Sequence, residues 1–260
     1  RILDFQAVII GDIPAVERND VLKYCYAKKV RAYVIPKISD IILMGADRIH
    51  VFDTPFMLSR GYTLSFDQRF GKRTLDIILS VLLLIAASPF MLLTALAIKL
   101  YDHGPVFYSQ VRCTKGGKEF AIYKFRSMRL DAESMGPQLY KGGRDPRLTK
   151  VGKFLREHHL DELPQLWNVF CGDMAFIGPR PERKYFIERI VRKAPFYYLL
   201  HNVRPGITSL GMVKYGYAGS VDEMIERLEY DILYYENMSL ILDITILIYT
   251  VKTVFTGKGI

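Results

Sequence analysis

Residues 75–100 read LDIILSVLLLIAASPFMLLTALAIKL, the strongest feature of a 260-residue chain. A helix of this length is long enough to cross a hydrocarbon core of about 30 Å. Hydropathy alone therefore favours an ordinary transmembrane span. Ser88 and Pro89, near the middle, point elsewhere. Proline lacks a backbone donor and clashes with the preceding turn, so a kinked or broken helix is expected. The Ser88 hydroxyl can satisfy a freed backbone group inside lipid. Each half then measures roughly 20 Å, too short to cross alone. Charge supplies a second argument. Arg69, Lys72 and Arg73 precede the run, and Lys99, Arg112, Lys115, Lys118, Lys124 and Arg126 follow it. Positive charge marks the cytoplasmic side, and here it marks both ends. A re-entrant helix over residues 74–100, entering and leaving by one face, meets both constraints. The spanning helix is the alternative.

Upstream, residues 61–73 read as a basic, polar linker, with Arg60 just before it. Residues 1–60 read as a small α/β unit. Ala7–Ile10 has the look of a buried strand, Val16–Lys28 has helical spacing, and Val30–Ile35 reads as a second strand ended by Pro36. Strand, helix, strand predicts a parallel βαβ unit, part of a Rossmann-like sheet. No G-x-G-x-x-G motif supports a nucleotide site there. The chain opens at Arg1 without an initiator methionine, so these residues are expected to come from the interior of a longer protein.

Downstream, residues 101–260 are polar and mixed. Pro105–Ser109 and Glu119–Lys124 read as short strands joined by a turn over Arg112–Lys118. Thr149–His159 and Leu163–Val169 read as helices, with Pro164 tolerated in a first turn. Ser239–Phe255 is apolar on most faces except at Asp243 and Lys252. It reads as an interfacial helix or as a core helix.

Half the residues are hydrophobic, 24% are charged, and the formal net charge is +9. The balance is globular, and the excess suits an anionic partner: nucleic acid, an anionic membrane surface or a phosphorylated substrate. Nucleic acid fits poorly, because the basic residues lack a stripe with interleaved stacking aromatics. Cys25, Cys113 and Cys171 show no metal-ligand spacing and fit a reduced environment.

The reactive residue types are densest between Lys150 and Arg183. Asp161 and Glu162 are adjacent, near Arg156, His158 and His159, and are followed by Gly178-Pro-Arg-Pro-Glu182. One of two neighbouring carboxylates can attack phosphorus while the other holds a divalent metal. Arg180, between two prolines, offers a planar fork for phosphate. Asp161 and Glu162 are equally readable as a cap and a dipole complement for the next helix. The two histidines read as surface groups or as supports behind the reactive residues. Lys124 and Arg126 share a strand face, Arg204 sits on a rigid Arg-Pro-Gly turn, and Asp243 lies in an apolar helix, where a carboxylate needs a partner.

Together, Leu148-Thr-Lys-Val-Gly152, Leu160-Asp-Glu-Leu-Pro-Gln-Leu166, Asn168-Val169, Gly172-Asp-Met174 and Gly178-Pro-Arg-Pro-Glu182 resemble the bacterial sugar transferases, the monotopic polyprenyl-phosphate phosphoglycosyl transferases. Lys124-Phe-Arg-Ser-Met128, Val203-Arg-Pro-Gly-Ile-Thr208 and the Ser88-Pro89 break match as well. The resemblance covers roughly residues 68–256. It implies an α/β (α+β) protein with a re-entrant membrane helix, interfacial amphipathic helices and a β-hairpin in a catalytic domain over 101–260. Part of the Rossmann-like domain of larger members precedes them, a candidate homodimer surface.

The resemblance also implies a cytoplasm-facing site at the bacterial inner membrane that uses Mg²⁺. Asp161 would attack a UDP-sugar and release UMP, Glu162 would bind Mg²⁺, and the phosphosugar would pass to undecaprenyl phosphate. Arg112, Lys124, Arg156, Arg180 and Asp243 fall on positions linked to activity. One departure stands out. Many members carry Asn-Gly-Arg after the Pro-Gly-Ile-Thr turn, whereas this chain has Met212-Val-Lys-Tyr-Gly-Tyr217. Lys214 is the candidate replacement, as a point charge rather than a fork. The competing expectation is a basic, membrane-attached binding module without catalysis.

Overall fold

The computed structural model describes residues 2–44, 46–59, 64–134, 136–139 and 145–256. The chain divides into two compact units, residues 1–60 and 61–260.

In the first unit, β1 (Ala7–Ile10), α1 (Ala15–Ala27) and β2 (Arg31–Val34) form a parallel βαβ unit in which Ala7 pairs with Arg31 and Ile10 with Val34. Among the described residues this sheet has two strands, so no wider Rossmann-like sheet is seen. Cys25 is fully buried under it, and the buried Arg18 pairs with Asp40 of α2 (Ile38–Met44). A hairpin follows, β3 (Asp47–Val51) and β4 (Thr54–Leu58). No local signal announces it: its two-residue turn is Phe52-Asp53, both at positive φ (48° and 64°), where Asn-Gly is the usual signal.

The second unit begins with α3 (Phe66–Asp102), 37 residues long. The expected linker over 61–73 is mostly helix instead: residues 61–63 lie outside the described residues, and the helix starts at Phe66. Ser65 and Gln68 form a reciprocal capping box, with bonds of 3.3 and 3.1 Å, which sets the start. The expected break at Ser88-Pro89 is also absent, because the helix continues through Pro89. Pro89 leaves the Ile85 carbonyl without its usual i+4 donor. The Ser88 hydroxyl donates to that carbonyl at 2.8 Å and fills the gap. Both ends of α3 pack on the same unit. Near its start, Arg73 donates to the Val169 and Phe170 carbonyls, each at 2.7 Å. Near its end, Ile98 joins Phe125 and Leu155 in a buried cluster, each such side chain stabilising by roughly 1.5–3 kcal/mol. Between the ends, Leu82, Ile85, Phe90 and Leu92 are exposed.

The antiparallel hairpin β5 (Phe107–Cys113) and β6 (Glu119–Phe125) follows. Arg112 therefore lies on a strand, not in the turn, because β5 runs four residues past the predicted end at Ser109. The buried Asn168 of α5 (Gln165–Cys171) seals the outer edge of β6. Its carbonyl accepts from Tyr123 N at 3.0 Å and its amide donates to Ala121 O at 2.8 Å. One side chain thus blunts a strand edge and fixes α5 beside Lys124.

The short parallel pair β7 (Ala175–Ile177) and β8 (Gly206–Thr208) brings the Gly-Pro-Arg-Pro segment against the Arg-Pro-Gly turn. This contact needs glycine on both sides. A Cβ on Gly206 would sit 2.2 Å from Gly178 N, and one on Gly178 would sit 2.3 Å from Arg204 O. The helices α4 (Lys150–Glu157), α6 (Lys184–Lys193), α7 (Leu210–Lys214), α8 (Val221–Glu236) and α9 (Leu240–Thr256) complete the unit.

Candidate active site

Leu160–Glu162 folds as a single 3-10 turn between α4 and α5, entered through His159 at φ 55°. At three residues per turn, neighbouring side chains diverge by about 120°. Asp161 and Glu162 therefore face different surroundings although they are adjacent. Neither caps α5, whose cap position is Pro164 without a side-chain bond. The reading of Asp161 as a helix cap is excluded.

Glu162 is clamped. Lys124 Nζ donates to its Oε1 at 2.5 Å, and Arg180 Nη2 lies 3.8 Å from the same oxygen. Burial works against the charge, but Lys124 and Arg180 outweigh it and bring the carboxyl down to about 2. Asp161 is the opposite case. It is 5% exposed, and among the described residues it has no ion pair and no side-chain hydrogen bond. Burial pushes its carboxyl above the ordinary range, the Lys124 charge opposes the shift, and the Glu162 charge adds to it.

Arg156 completes the near group. Its α4 helix starts at a Thr149 cap that accepts from Gly152 N at 2.8 Å. That helix presses so closely on Ser127 that a Cβ at Gly152 would sit 1.8 Å from the Ser127 carbonyl. Arg156 Nε then donates to Ser127 Oγ at 3.2 Å, and its charge favours ionised Asp161. Arg180 lies with its guanidinium carbon 4.8 Å from the ring centre of Tyr217.

Asp161, Glu162, Lys124, Arg156 and Arg180 thus lie within reach of one another's charges. The other residues singled out in the sequence do not join them. Arg112 donates to Pro181 O at 3.0 Å and to Glu182 at 3.2 Å, bracing the segment that carries Arg180. Glu182 is held from its other side by Arg227 at 2.6 Å. Arg126 pairs with Asp102 at the end of α3. Arg204 is exposed. Lys214 lies over the ring of Tyr249, 4.8 Å from its centre. Asp243 accepts from Lys72 and, at 2.7 Å, from the Tyr234 hydroxyl. Ser88 and Pro89 lie in the exposed middle of α3.

Three groups escaped the sequence reading. Asp76, buried within the apolar run, accepts from Phe176 N at 3.0 Å and ties α3 to β7. A carboxylate inside a membrane-length helix was the signal for it. Asn168 and Tyr217 carried no such signal, since their roles depend on what packs beside them.

The described residues contain no cluster of three or more His, Cys, Asp or Glu side chains arranged around a metal. Magnesium rarely needs one. It takes one or two carboxylates and completes its shell with water and substrate phosphates. Adjacent Asp161 and Glu162 fit that donor set, with the closest cation contacts of Glu162 on one oxygen, Oε1.

Residues 67–257 match the bacterial sugar transferase family, and the chain belongs to it. It is 46% identical, over 94% of its length and 57% of the relative's, to a UDP-N-acetylgalactosamine-undecaprenyl-phosphate N-acetylgalactosaminephosphotransferase of Aeromonas hydrophila. It is 40% identical, over 83% of its length and 45% of the relative's, to a UDP-glucose:undecaprenyl-phosphate glucose-1-phosphate transferase of Klebsiella pneumoniae. A Salmonella typhimurium undecaprenyl-phosphate galactose phosphotransferase is 35% identical, over 87% of this chain and 49% of that protein. The chain spans about half the length of these relatives.

Proposed function

We propose that this chain carries the catalytic site of an enzyme that moves a sugar 1-phosphate from a UDP-sugar to undecaprenyl phosphate, an early membrane step of surface polysaccharide synthesis. The observation that carries the proposal is the split between adjacent carboxylates: Glu162 locked by Lys124 and Arg180, Asp161 buried and without a partner among the described residues. A desolvated carboxylate with no partner is costly to keep, and sites with such tuned neighbours are where chemistry is found. Family membership supports the same reaction class.

The proposed sequence has two displacements at one phosphorus. An Asp161 carboxylate oxygen attacks the β-phosphorus of the UDP-sugar, the bond to the bridging oxygen breaks, and UMP leaves with that oxygen. An oxygen of the lipid phosphate then attacks the same phosphorus, and the Asp161 carboxylate leaves. Phosphoryl transfer relies on positioning and charge neutralisation. In this reading Arg156 and Arg180 hold non-bridging oxygens, and Lys124, paired with Glu162, keeps that carboxylate ionised. Mg²⁺ held by Glu162 and Asp161 would offset pyrophosphate charge.

We further propose that α3 is re-entrant at the inner membrane, with the site facing the cytoplasm. The helix is long and apolar enough to cross a membrane, yet both of its ends pack on the same unit. Single cysteines placed just before and after α3 should label from one face only. Labelling from opposite faces would make it a span.

The reaction is tested by UMP release and radiolabelled lipid product over a panel of UDP-sugars with undecaprenyl phosphate. Lipid-linked product is expected with at least one donor. Absence of UMP and product with every donor would leave a non-catalytic binding module.

A further inference from the structure

Between α7 and α8 lies Tyr215-Gly216-Tyr217, in the stretch where this sequence departs from the common family pattern. Gly216 adopts φ 95°, a left-handed conformation that favours glycine. Its N–H donates back to Gly211 O at 3.1 Å. The two flanking tyrosines have different partners. Tyr215 donates to Glu226 of α8 at 2.7 Å. Tyr217 lies with its ring under the guanidinium of Arg180, 4.8 Å from its carbon. Burial, and after it the negative charge at Glu162, keep the Tyr217 hydroxyl protonated well above neutral pH. Asp161, Arg156 and Arg180 act on the same hydroxyl. Among the described residues that hydroxyl has no hydrogen-bond partner, and Tyr217 as a whole is half-buried. Lys214, the cation of this stretch, is stacked on Tyr249 of α9 instead.

We propose that Tyr217, rather than Lys214, is the substrate-contacting residue of this stretch: its ring holds the Arg180 guanidinium flat, and its hydroxyl donates a hydrogen bond to a pyrophosphate oxygen of the nucleotide-sugar. A cation stacked on an aromatic face keeps its edge donors free for phosphate. A neutral phenol beside that edge adds a donor without adding charge. The inference rests on the proposed reaction and deepens it by assigning part of donor recognition.

The test uses the full chain in detergent or nanodiscs. Tyr217→Phe keeps the ring over Arg180 and removes only the hydroxyl, while Tyr217→Leu removes both. UMP release and calorimetric binding of UDP, which carries the pyrophosphate, are measured in parallel. Tyr217→Phe should lower kcat/KM for UMP release by about 10- to 100-fold, as for one lost hydrogen bond to a charged oxygen, and weaken UDP binding, with an unchanged melting temperature. Tyr217→Leu should lose more, and Lys214→Met should change kcat/KM less than threefold. Wild-type kcat/KM and UDP affinity in Tyr217→Phe would overturn the inference while leaving the reaction standing. If the wild type bound UDP but released no UMP with any donor, the reaction would fall; weaker UDP binding by Tyr217→Phe would still sustain the contact. A wild type that neither binds UDP nor releases UMP would overturn both.

Discussion

Two pairs of acidic side chains, one member of each buried and the other half-buried, sit in this unit and behave oppositely. Asp76 and Asp243, at the root of α3, each have a partner: a backbone N–H for the first, Lys72 and Tyr234 for the second. Asp161 and Glu162 divide: Glu162 is clamped by two cations, and Asp161 has no partner among the described residues. Both pairs lie beside a lysine and both are shielded from water, so burial alone does not mark a reactive group. Partnership does. A carboxylate with donors around it holds elements together, whereas one held without donors is available for a reaction.

Substitutions can break this contrast. Asp161→Asn should abolish UMP release, a loss on the order of 10⁴-fold for a missing nucleophile. It should leave the melting temperature unchanged or slightly raised, because a buried charge with no partner among the described residues is removed. UMP release near the wild-type rate would refute the nucleophile assignment. Asp243→Asn should do the reverse. Lys72 loses its counter-charge, and the fold should lose about 3 kcal/mol, read as a fall in the denaturation midpoint. Per folded molecule, UMP release should stay within about threefold of wild type, an approximate bound of 0.7 kcal/mol. A large loss of turnover in well-folded protein would move Asp243 into the reaction.

A gentler probe is pH. In the proposed reaction Asp161 attacks as the carboxylate, and its carboxyl is raised. The acid limb of kcat/KM should therefore lie above the ordinary aspartate value of about 3.9. Glu162 contributes stability that is present above its unfolded value of 4.5 and lost as the pH falls through about 2. On acidification Asp161 thus takes up its proton first. Lys124→Met should shift the acid limb upward, and an unmoved limb would show that Lys124 does not set the Asp161 environment. The smallest effect is expected from Ser88→Ala, which leaves the Ile85 carbonyl without its hydroxyl donor and should cost about 1 kcal/mol, measured by thermal unfolding.

Much of the architecture was legible in the sequence. The apolar run marked α3, the alternation marked β5 and β6, and the Gly-Pro-Arg-Pro and Arg-Pro-Gly turns marked the segments that β7 and β8 bring together. These signals are local, arising from hydropathy, turn chemistry and the backbone limits of Gly and Pro. The βαβ unit was read for the same reason, while the β3–β4 hairpin was missed because Phe52-Asp53 is an unusual pair for its turn.

Which charges meet was not legible. Lys124 and Arg180 reach Glu162 from 38 positions before it and 18 after it along the chain, a convergence that spacing does not encode. Arg126, two residues from Lys124 and read as sharing its face, instead pairs with Asp102. Asp76 stood out as a carboxylate in an apolar run, but its partner, the Phe176 N–H, is 100 residues away. By itself the sequence determined the membrane-length helix, the βαβ unit and the adjacent Asp161-Glu162 pair. The tertiary structure alone decided that Glu162 is neutralised and Asp161 is not, because a carboxylate's state depends on the donors and charges within a few ångströms of it, wherever they fall in the chain.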